Sequence, residues 1–289
     1  MTLGVWLRLG RVSNLPTVWS NVLATLALSG ELSFSSRTFA LWGIFSLYYV
    51  GGMYLNDAFD RRIDAVQRPD RPIPSGQVSA GVVFAIGYAG LGLGTLLLGL
   101  VAESAGVSVL RAVASGVALA ITIIGYDLYH KQNPLSPLVM GLCRVLVYVA
   151  GAFAVSGALP PAVGWGAAAL LCHLIGLSYA AKQEAFNRLT RVWPLAFLAA
   201  PAVYGAYLSL GEPWVRPFLA LLVLWGVYSL RFLRPGPQRS VPGAVVRLIA
   251  GIALLDATLI AATGALGWAL LAVLLAAATR LFQRVIPGT

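Results

Sequence analysis

The chain has 289 residues, 59% of them hydrophobic and only 10% charged. A soluble domain carries about 25% charged residues, so this composition excludes a water-facing surface over most of the chain. The formal net charge of +10 does not argue for nucleic acid, because the basic residues sit in short loops between apolar blocks. It fits membrane topology and attraction to anionic lipid or an anionic substrate.

Ten apolar segments follow one another, at roughly 14–30, 38–58, 79–101, 106–126, 136–157, 161–182, 192–210, 214–233, 244–263 and 266–283. Segments of about 20 residues match the hydrocarbon core of a bilayer. None alternates as a strand, and a bilayer cannot hydrate free backbone groups, so each is expected to be a helix. The fold class is therefore all-α, a polytopic membrane helical bundle. Arg8, Arg11 and Asn14 precede the first segment, which runs on without a cleavage site and is not read as a signal peptide. Asn14 and Asn21 are polar in an apolar run; they either face a ligand or bond across helices. Cys143 and Cys172 lie inside apolar blocks and form neither a metal spacing nor a disulfide framework. No linker interrupts 1–289, which reads as a single domain.

Positive charge alternates from loop to loop. Arg8 and Arg11, the arginines at 61, 62, 68 and 71, His130 and Lys131, Lys182, Arg188 and Arg191, Arg231, Arg234 and Arg239, and Arg280 and Arg284 fall on one side. The other side holds little beyond Arg37, Arg111 and Arg216. The positive-inside rule places both termini and every large polar loop in the cytoplasm, as in a bacterial inner (plasma) membrane.

The chain has ten acidic residues, and four of them, Asp57, Asp60, Asp64 and Asp70, fall within fourteen positions. On a helix, 57, 60 and 64 share one face. Three carboxylates on one stripe repel, and a hard divalent cation relieves this: Mg²⁺ takes oxygen ligands and typically joins one or two carboxylates to substrate phosphates. The alternative is a solvated loop balanced by Arg61, Arg62, Arg68 and Arg71. The helical spacing, the flanking Asn56 and the scarcity of acid elsewhere favour the metal.

Asn56–Asp64 reads N-D-x-x-D-x-x-x-D, followed by Arg71-Pro72-Ile73-Pro74-Ser75-Gly76. Together with the Arg8…Asn14-Leu15-Pro16 entry, this resembles the first signature of the UbiA superfamily of intramembrane prenyltransferases. The resemblance implies a bundle of nine to ten transmembrane helices around a central cavity open to the cytoplasmic face. It implies Mg²⁺ as cofactor, held by Asn56, Asp57, Asp60 and Asp64, with Arg71 as a charge partner in a loop capping the site. It also implies transfer of a prenyl group from a polyprenyl diphosphate to a lipophilic, aromatic acceptor. Tyr126-Asp127-Leu128-Tyr129-His130-Lys131 matches a Tyr-rich turn ending in a base, with Lys131 as the diphosphate contact and the tyrosine out of register; an interfacial Tyr–Lys anchor is the other reading. Where the family has a second acidic cluster, this chain has Lys182-Gln183-Glu184-Ala185-Phe186-Asn187-Arg188. Gln183 and Asn187 keep the spacing as amides, Glu184 is the one carboxylate, and Lys182 and Arg188 offer cations in place of a second metal. Tyr48, Tyr49, Tyr54 and Phe59 are expected to line the pocket or to pack as ordinary helix aromatics. Arg144, deep in the fifth segment, needs a partner, and Asp127 is proposed for it.

Three rivals remain. A transport or binding protein of the same fold without turnover is favoured by the altered second cluster. A phospholipid-synthesising alcohol phosphotransferase lacks its Asp-Gly…Ala-Arg core here. A channel would spread its acids along a pore.

Overall fold

A computed structural model describes residues 2–131, 133–183, 187, 191–237, 239–286 and 288. Among them there is no strand. The described residues form eleven α-helices: α1 Leu3–Leu9, α2 Leu15–Leu28, α3 Ser36–Gln67, α4 Ala80–Ser104, α5 Val109–Tyr129, α6 Ser136–Ser156, α7 Pro161–Lys182, α8 Ala200–Gly211 (preceded by a 3₁₀ turn, Trp193–Ala199), α9 Val215–Arg231, α10 Val241–Ala261 and α11 Leu266–Phe282. Every apolar segment expected from the sequence is helical. Seven of these stretches are long and apolar enough to cross a membrane, whereas α2, α9 and α11 have 14, 17 and 17 residues.

Successive helices pack side by side, and α11 returns against α2 to close the ring. α10 is buried along almost its whole length, held by α2, α7, α9 and α11. Outward faces carry exposed apolar side chains such as Leu96, Ile121, Leu224 and Leu274. In water such a surface would drive association; against lipid tails it is the expected solvent contact, and the protein is an integral membrane protein.

α3 departs from expectation in length. Its apolar segment ends near 58, yet the helix continues to Gln67. Apolar run length sets where the hydrocarbon ends, not where the helix ends. Nothing between 59 and 67 breaks a helix, and Pro69 disfavours helical backbone at Arg68. At 1.5 Å per residue, 32 residues span about 48 Å, well beyond a ~30 Å core. The last turns of α3, which bear the acidic stripe, stand at the bundle's end as rigid helix.

The short α1 was not expected. Val5 and Leu9 pack on Tyr54, Ala58, Val78 and Val83. This docks the chain's start on the polar end of α3 and brings Arg11 to Asp57.

α3 and α4 approach closely through glycine. A Cβ built on Gly51 would lie 2.9 Å from the Gly87 carbonyl oxygen, and one on Gly87 would lie 2.7 Å from Leu55 Cγ. Small residues at such crossings let backbones meet in a membrane. Gly51→Val is expected to force the helices apart and cost about 1–3 kcal/mol, read as a lower unfolding temperature in detergent. Gly92→Ala, with nothing within 4 Å of the added Cβ, is expected to leave that temperature unchanged.

Candidate functional site

α2, α3, α5, α6, α7 and α10 enclose a cavity of about 430 Å³. Its inner wall is apolar, with Val18, Phe45, Val147, Leu174 and Ile252 among the lining residues. Its mouth is polar and rich in cations: Arg11, Arg68, Arg71, Lys131 and Lys182 line it, against two carboxylates, Asp60 and Asp127. Such a mouth attracts an anion, and such an interior accepts a hydrocarbon chain.

The acidic stripe divides. Asp57 and Asp64 turn toward Arg71, whose Nη1 donates to Asp57 Oδ1 at 3.1 Å and to Asp64 Oδ2 at 2.8 Å. Arg11 Nη2 adds a second bond to Asp57 Oδ1 at 3.1 Å. Asp60 points to the other flank, where Lys131 Nζ lies 2.8 Å and His130 Nε2 3.5 Å from its Oδ2. Helix geometry explains this: residues seven apart differ by about 20° around the axis, whereas Asp60 lies about 40–60° away from both. All three are nearly buried, so each requires its partner. Asn56, one residue before, donates from Nδ2 to Asp127 Oδ1 at 2.9 Å on α5.

The partners are positioned by local structure. Arg71 lies in a turn closed by Ser75 N–H to the Arg71 carbonyl and Gly76 N–H to the Ile73 carbonyl. Gly76 sits at φ +75, a conformation that suits glycine. The turn folds Arg71 back onto Asp57 and Asp64 of α3. Arg11 occupies the left-handed region at φ 43, unusual for a residue with a Cβ and a mark of local strain. Burial works against its charge, but Asp57 and the other acidic groups nearby raise its pKa above the ordinary arginine value. Lys131 follows α5 directly, and Tyr126 stacks on His130 with ring centroids 4.9 Å apart.

The second stretch is dispersed. Lys182 Nζ donates to the Asn133 carbonyl at 2.8 Å and to Ser136 Oγ at 2.9 Å, and it lines the cavity. Gln183 and Asn187 do not line it. Asn187 Oδ1 instead accepts the Val241 N–H at 2.9 Å, capping the start of α10. Glu184 and Arg188 lie outside the described residues. Tyr48 and Tyr49 line the cavity as expected, whereas Tyr54 packs on Trp6 and Phe59 on Phe84.

The pairing of Arg144 with Asp127 is corrected. Arg144 donates to Asn21 Oδ1 at 2.8 Å and to Thr17 Oγ1 at 3.1 Å, and its guanidinium lies over the Tyr49 ring. The carboxylate behind this contact is Asp256, fully buried on α10, which accepts from Ser20, Asn21 and Tyr148. Asn21 thus bridges the two charges. Asp127 is instead bound by Asn56. Asp256 escaped the sequence reading, although an acid inside an apolar helix is a signal in itself.

Among the described residues, no group of three or more His, Cys, Asp or Glu is arranged to hold a metal ion. The cavity lining still offers the carboxylates of Asp60 and Asp127 beside the Asn56 amide, whose Oδ1 accepts Arg11 Nη2 at 3.3 Å, and Asp127 Oδ2 is buried with no hydrogen-bond partner among the described residues. Hard oxygen donors with room for phosphate and water suit Mg²⁺.

Residues 13–241 match the UbiA prenyltransferase family, and the chain belongs to that family. A protoheme IX farnesyltransferase of Alkalihalophilus pseudofirmus is 30% identical over 160 residues, covering 54% of this chain and 45% of that protein. The chain spans less than half the length of the curated relatives it matches first. Two solved structures share the fold. One, from work on digeranylgeranylglyceryl phosphate synthase, aligns at TM-score 0.61 with 18% identity, covering 94% of this chain and 98% of that one. The other, a UbiA homologue from Archaeoglobus fulgidus bound to GPP and Mg²⁺, aligns at TM-score 0.58 with 16% identity, covering 91% and 99%.

Proposed function

We propose that this chain is a Mg²⁺-dependent intramembrane prenyltransferase that moves a prenyl group from a polyprenyl diphosphate to a lipophilic, aromatic acceptor. One observation carries the reading: a single cavity joins a cationic mouth, with Asp60 and Lys131 paired at its edge, to an apolar interior. A prenyl diphosphate has the same division of charge and hydrocarbon. The solved homologue with GPP and Mg²⁺ supports the ligand class.

In this reading Asn56, Asp57, Asp60 and Asp64 form the acidic side of the diphosphate site. Asn56 and Asp60 face the cavity, while Asp57 and Asp64 hold Arg71 over it. Mg²⁺, when bound at the cavity-facing oxygens, neutralises charge on the diphosphate as the carbon–oxygen bond breaks. Lys131, beside Asp60 at the mouth, and Lys182, at the end of α7, would offer positive charge to the phosphate oxygens. The bond's electron pair leaves with the diphosphate. Tyr49 and Tyr126 offer ring faces to the allylic cation, and the apolar wall keeps water from capturing it before the acceptor does. The chain acts as one domain with ten crossings, both ends and the site on the cytoplasmic face of a bacterial inner membrane. The bond from Asn14 Nδ2 to the Gly288 carbonyl, which brings the two ends of the chain together, and the basic residues at that end support this topology.

The test is diphosphate release from a labelled polyprenyl diphosphate in detergent, with and without Mg²⁺, over a panel of lipophilic acceptors. Mg²⁺-dependent release is the expected result. Binding without turnover across the panel would instead assign a transport or binding role, the reading that the absence of Gln183 and Asn187 from the cavity lining favours. Lys131→Met is expected to lower turnover about 100-fold by removing a charge aimed at the leaving group. Lys182→Met is expected to weaken donor binding more than turnover, measured as a rise in KM at nearly constant kcat.

A further inference from the structure

We propose that Asp127 is a direct ligand of the divalent cation and that α5, rather than the stretch after α7, supplies the second carboxylate of the site. This rests on the diphosphate reading above. Asp127 is 4% exposed, and its Oδ1 accepts the Asn56 amide at 2.9 Å. Its Oδ2 is buried yet has no hydrogen-bond partner among the described residues. A buried carboxylate oxygen left unpaired is costly, and natural sites seldom keep one without a use. The nearby cations are hydrogen-bonded elsewhere: Arg11 to Asp57 and Asn56, Arg144 to Asn21 and Thr17, Lys131 to Asp60, and Arg71 to Asp57 and Asp64. Asp127 lines the same cavity as Asp60 and as Asn56, whose Oδ1 accepts Arg11 Nη2 at 3.3 Å.

The spacing after α7 explains the need. Gln183 and Asn187 are uncharged and do not line the cavity, and the Asn187 carbonyl oxygen is taken by the Val241 N–H. Two carboxylates on different helices, Asp60 on α3 and Asp127 on α5, make a donor pair of the kind Mg²⁺ accepts when phosphate oxygens and water complete its shell. Asn56, holding Asp127 through its amide, orients that ligand.

Mn²⁺ affinity of the detergent-solubilised full chain, read by electron paramagnetic resonance in the presence of inorganic diphosphate, tests this without turnover. Asp127→Asn is expected to weaken Mn²⁺ binding at least tenfold, Asp127→Glu to recover most of it, and Glu212→Gln, between α8 and α9, to leave it unchanged. Asp127→Cys is expected to gain Cd²⁺ affinity over the native chain, whose Cys143 and Cys172 set the baseline. In the native protein, Fe²⁺ with ascorbate and peroxide is expected to cleave the backbone beside Asp127 as well as beside Asp60, so the proposal stays testable if a variant does not fold. Unchanged Mn²⁺ affinity in Asp127→Asn, or cleavage confined to α3, overturns the role of Asp127. No Mn²⁺ binding by the native chain with diphosphate, or none of the expected loss in Asp60→Asn, overturns the diphosphate site itself.

Discussion

Asp60→Asn is expected to reduce Mg²⁺-dependent diphosphate release by about 10²–10³-fold, the range seen when one electrostatic partner of the transition state is removed. Asp60 is the stripe residue that both faces the cavity and contacts the turn after α5, through Lys131 at 2.8 Å and His130 at 3.5 Å. The amide keeps the shape and removes the charge, so the cation loses a ligand and Lys131 loses the partner that holds it at the mouth. Asp64→Asn, which acts through Arg71, is expected to cost less. Turnover by Asp60→Asn at the native rate would remove the basis for reading the first motif as a metal–diphosphate site.

Asp256→Leu is expected to destabilise the bundle by about 3–5 kcal/mol, the usual cost of leaving one member of a buried charged network uncompensated. Asp256 is 0% exposed and is the shared acceptor of Ser20, Asn21 and Tyr148. Its loss strands those donors and leaves Arg144 with neutral partners only. The measurement is the thermal unfolding transition in detergent. The double variant Asp256→Leu, Arg144→Met removes both charges and is expected to recover part of the loss, because coupled residues are not additive. If the single variant unfolds at the native temperature, the α2–α6–α10 network contributes nothing to stability.

The sequence by itself determined the class of structure. Long apolar runs separated by short polar loops leave helices as the only backbone-satisfying solution in lipid, and the ten segments are indeed helical. The placement of the first motif was equally legible: the spacing of Asp57, Asp60 and Asp64 puts a stripe of acids on one helix end, and all three are buried near the end of α3. Its inner division was in the spacing too: 57 and 64 lie nearly in line, and 60 does not.

Only the tertiary structure decided which partner each charge takes. Arg144 and Asp127 are close enough in sequence to suggest a pair, yet helix rotation turns Arg144 toward α2 and Asp127 toward α3. Asn21 and Asp256 are joined across 235 positions, a separation no local pattern carries. Asn187 keeps the spacing of a ligand but is drawn to the orphan N–H groups at the start of α10, a demand that arises once that helix exists beside it. Helical periodicity states which side chains share a face; the packing of one helix on another decides what that face meets.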